Sequence, residues 1–285
     1  MNKKVKIAGM QMEPVIGDKG RNMARCLELI NTAAREDAQL IVFPEAALSG
    51  YIYNSIDEVI PITESIPGPS TEAISALCHQ MNVHVIIGIL EEDQGRYYNT
   101  AALIGPEGLV GKYRKLHLPY IGADRFLNHG NLSLKVYDTE LGRIGMGICY
   151  DLSFPEHARI LTLLGADIIV NITNSPEGLE FNSEHTVFTR ARENNVFIVY
   201  INRIGDERGC RFFGQSKITD CFGKCITQGK SHEEDILYAE IDPTTARHKL
   251  RVTIPGERET DTISDRRPEF YSVLTQPLVD SSRIR

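Results

Sequence analysis

The chain has 285 residues, 42% of them hydrophobic and 24% charged, with a net charge of -7. That balance suits a globular protein with a substantial core, and no apolar run approaches the roughly 20 residues of a membrane span, so no membrane partner is expected. Lys and Arg number 31 against 38 for Asp and Glu, with no dense basic block, which argues against nucleic acid as a partner.

Strand and helix signals alternate from the start. Residues 1–4 lead directly into an apolar strand at 5–12, with neither a signal-peptide apolar region nor a cleavage pattern, so a cytoplasmic address is expected. An amphipathic helix follows near 20–37, then a strand at 39–43 that stops at Pro44-Glu45. After Pro67-Gly68-Pro69 come a helix near 70–81 and an apolar strand at 83–90. Residues 97–104 and 109–114, joined by Gly105-Pro106-Glu107-Gly108, read as a hairpin. Antiparallel pairs must therefore join parallel ones, which excludes a purely parallel sheet or barrel.

A strand at 141–148 ends abruptly at Cys149, and Ser153-x-x-Glu156 with Pro155 between them is a helix-start signature. A helix near 155–164, a strand at 166–171, a helix near 180–194 and a strand at 196–200 follow, with further strand candidates at 215–219 and 236–241. No linker composition or strict repeat interrupts the chain, so residues 1–285 read as one domain. Its polar stretch from about 242 to 285 is expected to wrap the surface or a neighbouring subunit. The two halves are loosely alike, which suits two packed sheets with helices on their outer faces.

The six cysteines, at 26, 78, 149, 210, 221 and 225, show neither Cys-x-x-Cys nor zinc-type spacing, so no metal is expected from them. Cys221 and Cys225 bracket a hairpin turn and read as packing. Cys149 differs, because it is pinned in a sharp strand-to-helix turn. Unpaired amides at the start of the following helix would stabilise a thiolate and donate to an oxyanion. The same residue beside glycine would also suit a small buried hydrophobe.

Three segments set a reactive side chain just past an apolar strand: Phe43-Pro44-Glu45, Tyr113-Arg114-Lys115-Leu116-His117, and the Cys149 turn. Such strand ends converge on one cleft, and a carboxylate, an ammonium and a thiol together suffice for acyl transfer. With these hallmarks in order, the chain resembles the nitrilase superfamily of carbon–nitrogen hydrolases, from the first strand to Asp265-Arg266-Arg267-Pro268-Glu269-Phe270-Tyr271. The resemblance implies an α/β (α+β) fold, a four-layer αββα sandwich with two mixed sheets. It also implies pairing of monomers, helix layer to helix layer, into a homodimer or higher oligomer, and no metal or organic cofactor. Glu45 would be the general base, Lys115 and the backbone N–H of Tyr150 would stabilise the tetrahedral oxyanion, and Cys149 would carry the acyl group as a thioester.

The family's second glutamate, between the lysine and the cysteine, has no counterpart here. Residues 118–130 contain a single carboxylate, Asp124, one methylene shorter, which becomes the candidate for that orienting position. Loops after the strands near the triad supply Tyr51, Tyr120, Asn174, Ser175 and Glu177 as candidate substrate contacts, and Arg190 opens a stretch that the family sets behind the site. Glu177 or Arg203 could read a charged substrate tail or could simply be solvated. His117 is expected to play a supporting role, since papain-type sequence around the cysteine is absent. The expected function is hydrolysis of a small linear amide or N-carbamoyl compound by water, releasing ammonia or an amine. Nitrile hydrolysis, a non-catalytic binding or assembly role and a papain-like peptidase are the alternatives.

Overall fold

The computed structural model describes residues 4–276, so the expected extension's last residues, 277–285, lie outside the described residues. The first half of the chain runs β1 (Val5–Gln11), α1 (Lys19–Arg35), β2 (Leu40–Val42), α2 (Ile56–Val59), α3 (Pro69–Met81), β3 (His84–Asp93), β4 (Arg96–Gly105) and β5 (Gly108–Arg114). The second half runs β6 (Val136–Thr139), β7 (Gly142–Ile148), α4 (Pro155–Leu163), β8 (Ile168–Thr173), α5 (Val187–Asn194), β9 (Phe197–Asn202), β10 (Ile204–Glu207), β11 (Cys210–Phe213), β12 (Lys217–Thr219), β13 (Cys225–Gln228) and β14 (Asp235–Ile241).

Two six-stranded sheets result, ordered β14-β1-β2-β3-β4-β5 and β13-β12-β9-β8-β7-β6. Each has a parallel centre, β1-β2-β3 in one and β7-β8-β9 in the other, flanked by antiparallel strands. The period-2 pattern assigns the layers. Ile7, Leu40 and Val42 pack between the sheets with Ile144, Met146 and Val170. The alternate residues Ala8 and Ile41 meet Cys26, Ile30 and Ile74 of α1 and α3. On the other side Ile169 and Ile198 meet Leu161 and Val187 of α4 and α5, completing the four layers. Helix α1 begins where the Asp18 side chain accepts the Arg21 N–H at 3.0 Å, an N-cap the sequence carries locally.

Three expectations change. The helix expected over 180–194 opens instead as a π-turn, Asn182–Thr186, which brings the Ser183 hydroxyl to the Lys217 ammonium at 2.7 Å. Strand β8 runs on to Thr173 because its polar residues Asn171 and Thr173 are buried, so an end judged by polarity came too early. The β10–β11 hairpin, turning at Arg208 and Gly209 with positive φ, was not foreseen. By contact the chain divides into two compact units, Met1–Arg247 and His248–Arg285, a boundary inside the stretch expected to be irregular. In the second unit the described residues form a hairpin of β15 (Arg251–Ile254) and β16 (Arg258–Thr260) and two short 3-10 turns. Among the described residues no helix is long and apolar enough to cross a membrane.

Candidate active site

Strand β2 is only three residues long, and Phe43-Pro44 carries the chain off it into a turn where Ala46 takes a φ of 48°. Glu45, between them, is fully buried. The neighbouring β3 is bare at Gly88, where an added Cβ would stand 2.6 Å from the Glu45 Cα, so only glycine lets the turn lie this close. Lys115 follows β5 directly and its N–H donates to Asn99 O of β4 at 2.8 Å. Its side chain is buried, with Nζ 2.6 Å from Glu45 Oε1 and 2.5 Å from Asp124 Oδ2. Asp124 sits in a 3-10 turn, Gly122–Arg125, that points its carboxylate inward.

The two carboxylates are fixed from several directions. Asn99 Nδ2 donates to Glu45 Oε1 at 2.6 Å and to Asp124 Oδ1 at 2.9 Å. Tyr51 OH donates to Asp124 Oδ2 at 2.8 Å, and the Asn174 N–H donates to Glu45 Oε2 at 2.8 Å. Burial, reinforced by the Asp124 charge, raises the Glu45 carboxyl above its ordinary range although Lys115 opposes the shift. Burial alone would pull the Lys115 ammonium down, but Asp124 and Glu45 together hold it well above the usual lysine value. Lys115 is therefore a fixed cation.

Cys149 closes the site from the second sheet. It is half-buried at the end of β7, with a φ of 47° that non-glycine residues seldom adopt, and it opens a 3-10 turn, Cys149–Ser153. Asp151 pins this turn. Its Oδ2 accepts the Ile148 N–H at 2.9 Å and Tyr113 OH at 2.8 Å, and its Oδ1 accepts from the His117 N–H at 3.2 Å and lies 2.7 Å from His117 Nδ1. Tyr113 and His117 flank Lys115 in sequence, so one buried carboxylate ties the cysteine turn to the lysine segment. Burial alone would raise Asp151, but the hydrogen bond from His117 and neighbouring groups holds it below the usual carboxylate range. Burial, and next the Glu45 charge, push the Cys149 thiol up to about 12.

Of the residues expected from sequence, Glu45, Lys115, Asp124, Tyr51 and Asn174 meet in one hydrogen-bonded group, and Cys149 interacts electrostatically with Lys115, Glu45 and Asp124. The Asn174 side chain is buried and both its Nδ2 and Oδ1 lack a hydrogen-bond partner. Tyr150 and Tyr120 are exposed, Tyr120 at 80%, and Glu177 lies on the surface with Arg211 at 3.5 Å and His232 at 3.7 Å. His117 stacks on Phe154 with ring centroids 3.7 Å apart, and Arg190 donates to the Leu152 carbonyl at 3.0 Å behind the cysteine turn.

Arg203 requires a correction: it is neither solvated nor free to read a substrate. It is fully buried, paired with Glu207, donating to Pro14 O at 3.0 Å and stacked on Phe212 at 4.4 Å. Glu207 in turn accepts the Tyr51 and Ile52 N–H groups at 2.8 and 2.9 Å, so the pair braces the loop that carries Tyr51. Sequence reasoning missed Asn99 and Asp151. Asp151, two residues after Cys149, carried a local signal as a turn carboxylate, whereas Asn99 had none. Among the described residues no group of three or more His, Cys, Asp or Glu side chains could hold a metal ion.

Residues 6–249 match the family described as carbon-nitrogen hydrolase. A nitrilase from Pyrococcus abyssi is 35% identical over 273 residues, covering 94% of this chain and 99% of its own. An (R)-stereoselective amidase from Pseudomonas sp is 31% identical over 266 residues, 92% of each chain. A carbon-nitrogen hydrolase from Helicobacter pylori G27 shares the fold with a TM-score of 0.86 at 24% identity, over 97% of this chain and 100% of that one.

Proposed function

This chain belongs to the carbon-nitrogen hydrolase family, and we propose that it cleaves the C–N bond of a small linear amide or N-carbamoyl compound through a thioester on Cys149. The observation that carries this reading is the buried Lys115 ammonium held between Glu45 and Asp124 and electrostatically coupled to Cys149. An amide substrate also suits Asn174, whose buried carboxamide has no hydrogen-bond partner at either Nδ2 or Oδ1. Leaving such a group unsatisfied costs about 1–3 kcal/mol, a penalty a bound amide would relieve.

The chemistry follows from the charges. With its value near 12 the thiol stays protonated until substrate arrives, and Glu45 as carboxylate takes its proton while sulfur attacks the carbonyl carbon. The carbonyl electron pair moves to oxygen, where Lys115 and the Tyr150 N–H stabilise it. On collapse the C–N bond breaks, the leaving nitrogen takes the proton from Glu45, and ammonia or an amine departs from a thioester. Water then gives a proton to Glu45 and attacks that thioester, the C–S bond breaks, and the same proton returns to sulfur. Asp124 keeps Lys115 cationic and aimed throughout, in place of a longer carboxylate.

Acid-quenched mass spectrometry of protein mixed with a short amide tests the covalent step. The reading expects the acyl mass on the Cys149 peptide, and turnover without any acyl adduct under single-turnover conditions would refute it.

A further inference from the structure

In the parallel pairing of β7 and β8, Ile148 stands opposite Ile172, so Cys149 and Thr173 are the next residues past the same rung. Thr173 thus stands beside the Cys149 turn, and its side chain draws the Cys149 thiol down against the larger effect of burial. Thr173 Oγ1 is 2.9 Å from Ser175 Oγ, which accepts from Tyr200 OH at 2.8 Å. All three hydroxyl residues are buried, at 0, 2 and 1% exposure for Thr173, Ser175 and Tyr200, so water does not compete for these bonds. Asn202 fixes the middle link, accepting the Ser175 N–H at 2.9 Å and donating to its carbonyl at 3.2 Å.

Only the far end of this row has a fixed direction, since either hydroxyl could donate in the Thr173–Ser175 bond. Tyr200 has one proton and gives it to Ser175. Each hydroxyl then donates once if Ser175 gives to Thr173 and Thr173 gives to sulfur. We propose that Tyr200, Ser175 and Thr173 form a hydroxyl chain that delivers a hydrogen bond to the Cys149 sulfur as it becomes negative. Thr173 is then a catalytic residue touching the reacting atom, and Ser175 and Tyr200 are positioning residues acting through it. The inference rests on Cys149 being the nucleophile. It also gives the Ser175 hydroxyl a task other than touching substrate. A donor to an ionised acceptor is about twice as strong as a neutral bond, and links in a chain polarise one another, so the device acts on the thiolate more than on the resting thiol.

The other titratable groups that interact with the sulfur are Glu45, Lys115, Asp124 and Tyr51, and the test must leave them intact. Alkylation of the Cys149 peptide by iodoacetamide is followed by mass spectrometry at several pH values, with kcat and KM for an amide measured beside it. Thr173→Val, which keeps shape and β-branching, is expected to slow alkylation about tenfold at every pH and to lower kcat similarly with KM unchanged, while Thr173→Ser restores both. Tyr200→Phe is expected to act in the same direction by a smaller factor. Wild-type alkylation rates in Thr173→Val and Tyr200→Phe would overturn the chain alone. If Thr173→Val fails to fold, Tyr200→Phe decides by the same criterion. Amide turnover that survives in Cys149→Ala would overturn the nucleophile, and the chain with it.

Discussion

At the scale of single residues the site is a problem in charge placement. Two carboxylates share one ammonium, and burial with the Asp124 charge raises Glu45, so the base is poised nearer to working pH than a free glutamate. The active form of Glu45 is the carboxylate, and activity is lost as pH falls through its raised value. The acid limb of kcat/KM against pH is therefore expected to have its midpoint above about 4.3, the free glutamate value, and a midpoint at or below it would contradict the assignment. Asp124→Asn removes the charge that holds Lys115 up, while keeping a hydrogen-bonding group of the same size. It is expected to lower kcat about 10- to 100-fold, and turnover equal to wild type would remove Asp124 from the mechanism. Asp124 came into view only through the resemblance, as the single carboxylate in the stretch where the family has its second glutamate. Asn99 was not, because its contacts to Glu45 and Asp124 arise from β4 lying beside both segments, and local pattern carries no cross-strand register. Arg203 was misread for the opposite reason: charged residues are ordinarily exposed, and here the pairing with Glu207, four residues on, with the Pro14 carbonyl and the Phe212 ring, holds it inside.

At the scale of elements, buried parallel strands read well from sequence because both faces are apolar, so β1, β3, β7 and β9 and the reactive residues just past strand ends were visible. Short peripheral strands read poorly, since β6 and β13 bury little, and the β10–β11 hairpin, though it buries Ile204, Phe212 and Phe213, carries no continuous apolar run. The β7 strand also depends on a small residue that period alone does not explain. An added Cβ at Gly147 would stand 2.7 Å from His157 Cε1, and His157 is buried with its ring 5.4 Å from Tyr113 in an edge contact. Gly147→Ala is therefore expected to cost about 1–3 kcal/mol and to lower activity by displacing the Cys149 turn. A urea midpoint equal to wild type would show that the packing there is slack.

At the scale of the whole molecule, the sandwich brings strand ends from both sheets to one place, with Glu45, Lys115 and Asp124 from the first half and Cys149 and Asn174 from the second. The outer helix layer leaves Ile160 and Leu163 of α4 at 42 and 45% exposure, with Leu164 at 50% beside them, and such apolar faces favour self-association. Light scattering of the purified protein is expected to give a dimer or larger, and Leu163→Glu with Leu164→Glu to shift it toward monomer; a wild-type monomer at micromolar concentration would contradict this. The central claim is that Cys149 carries the acyl group in C–N hydrolysis. Its most direct test is ammonia release from a panel of short amides, N-carbamoyl amino acids and nitriles, with wild type beside Cys149→Ala. The account predicts release by wild type from an amide or carbamoyl compound and none above background from the variant, and undiminished release by Cys149→Ala would contradict it.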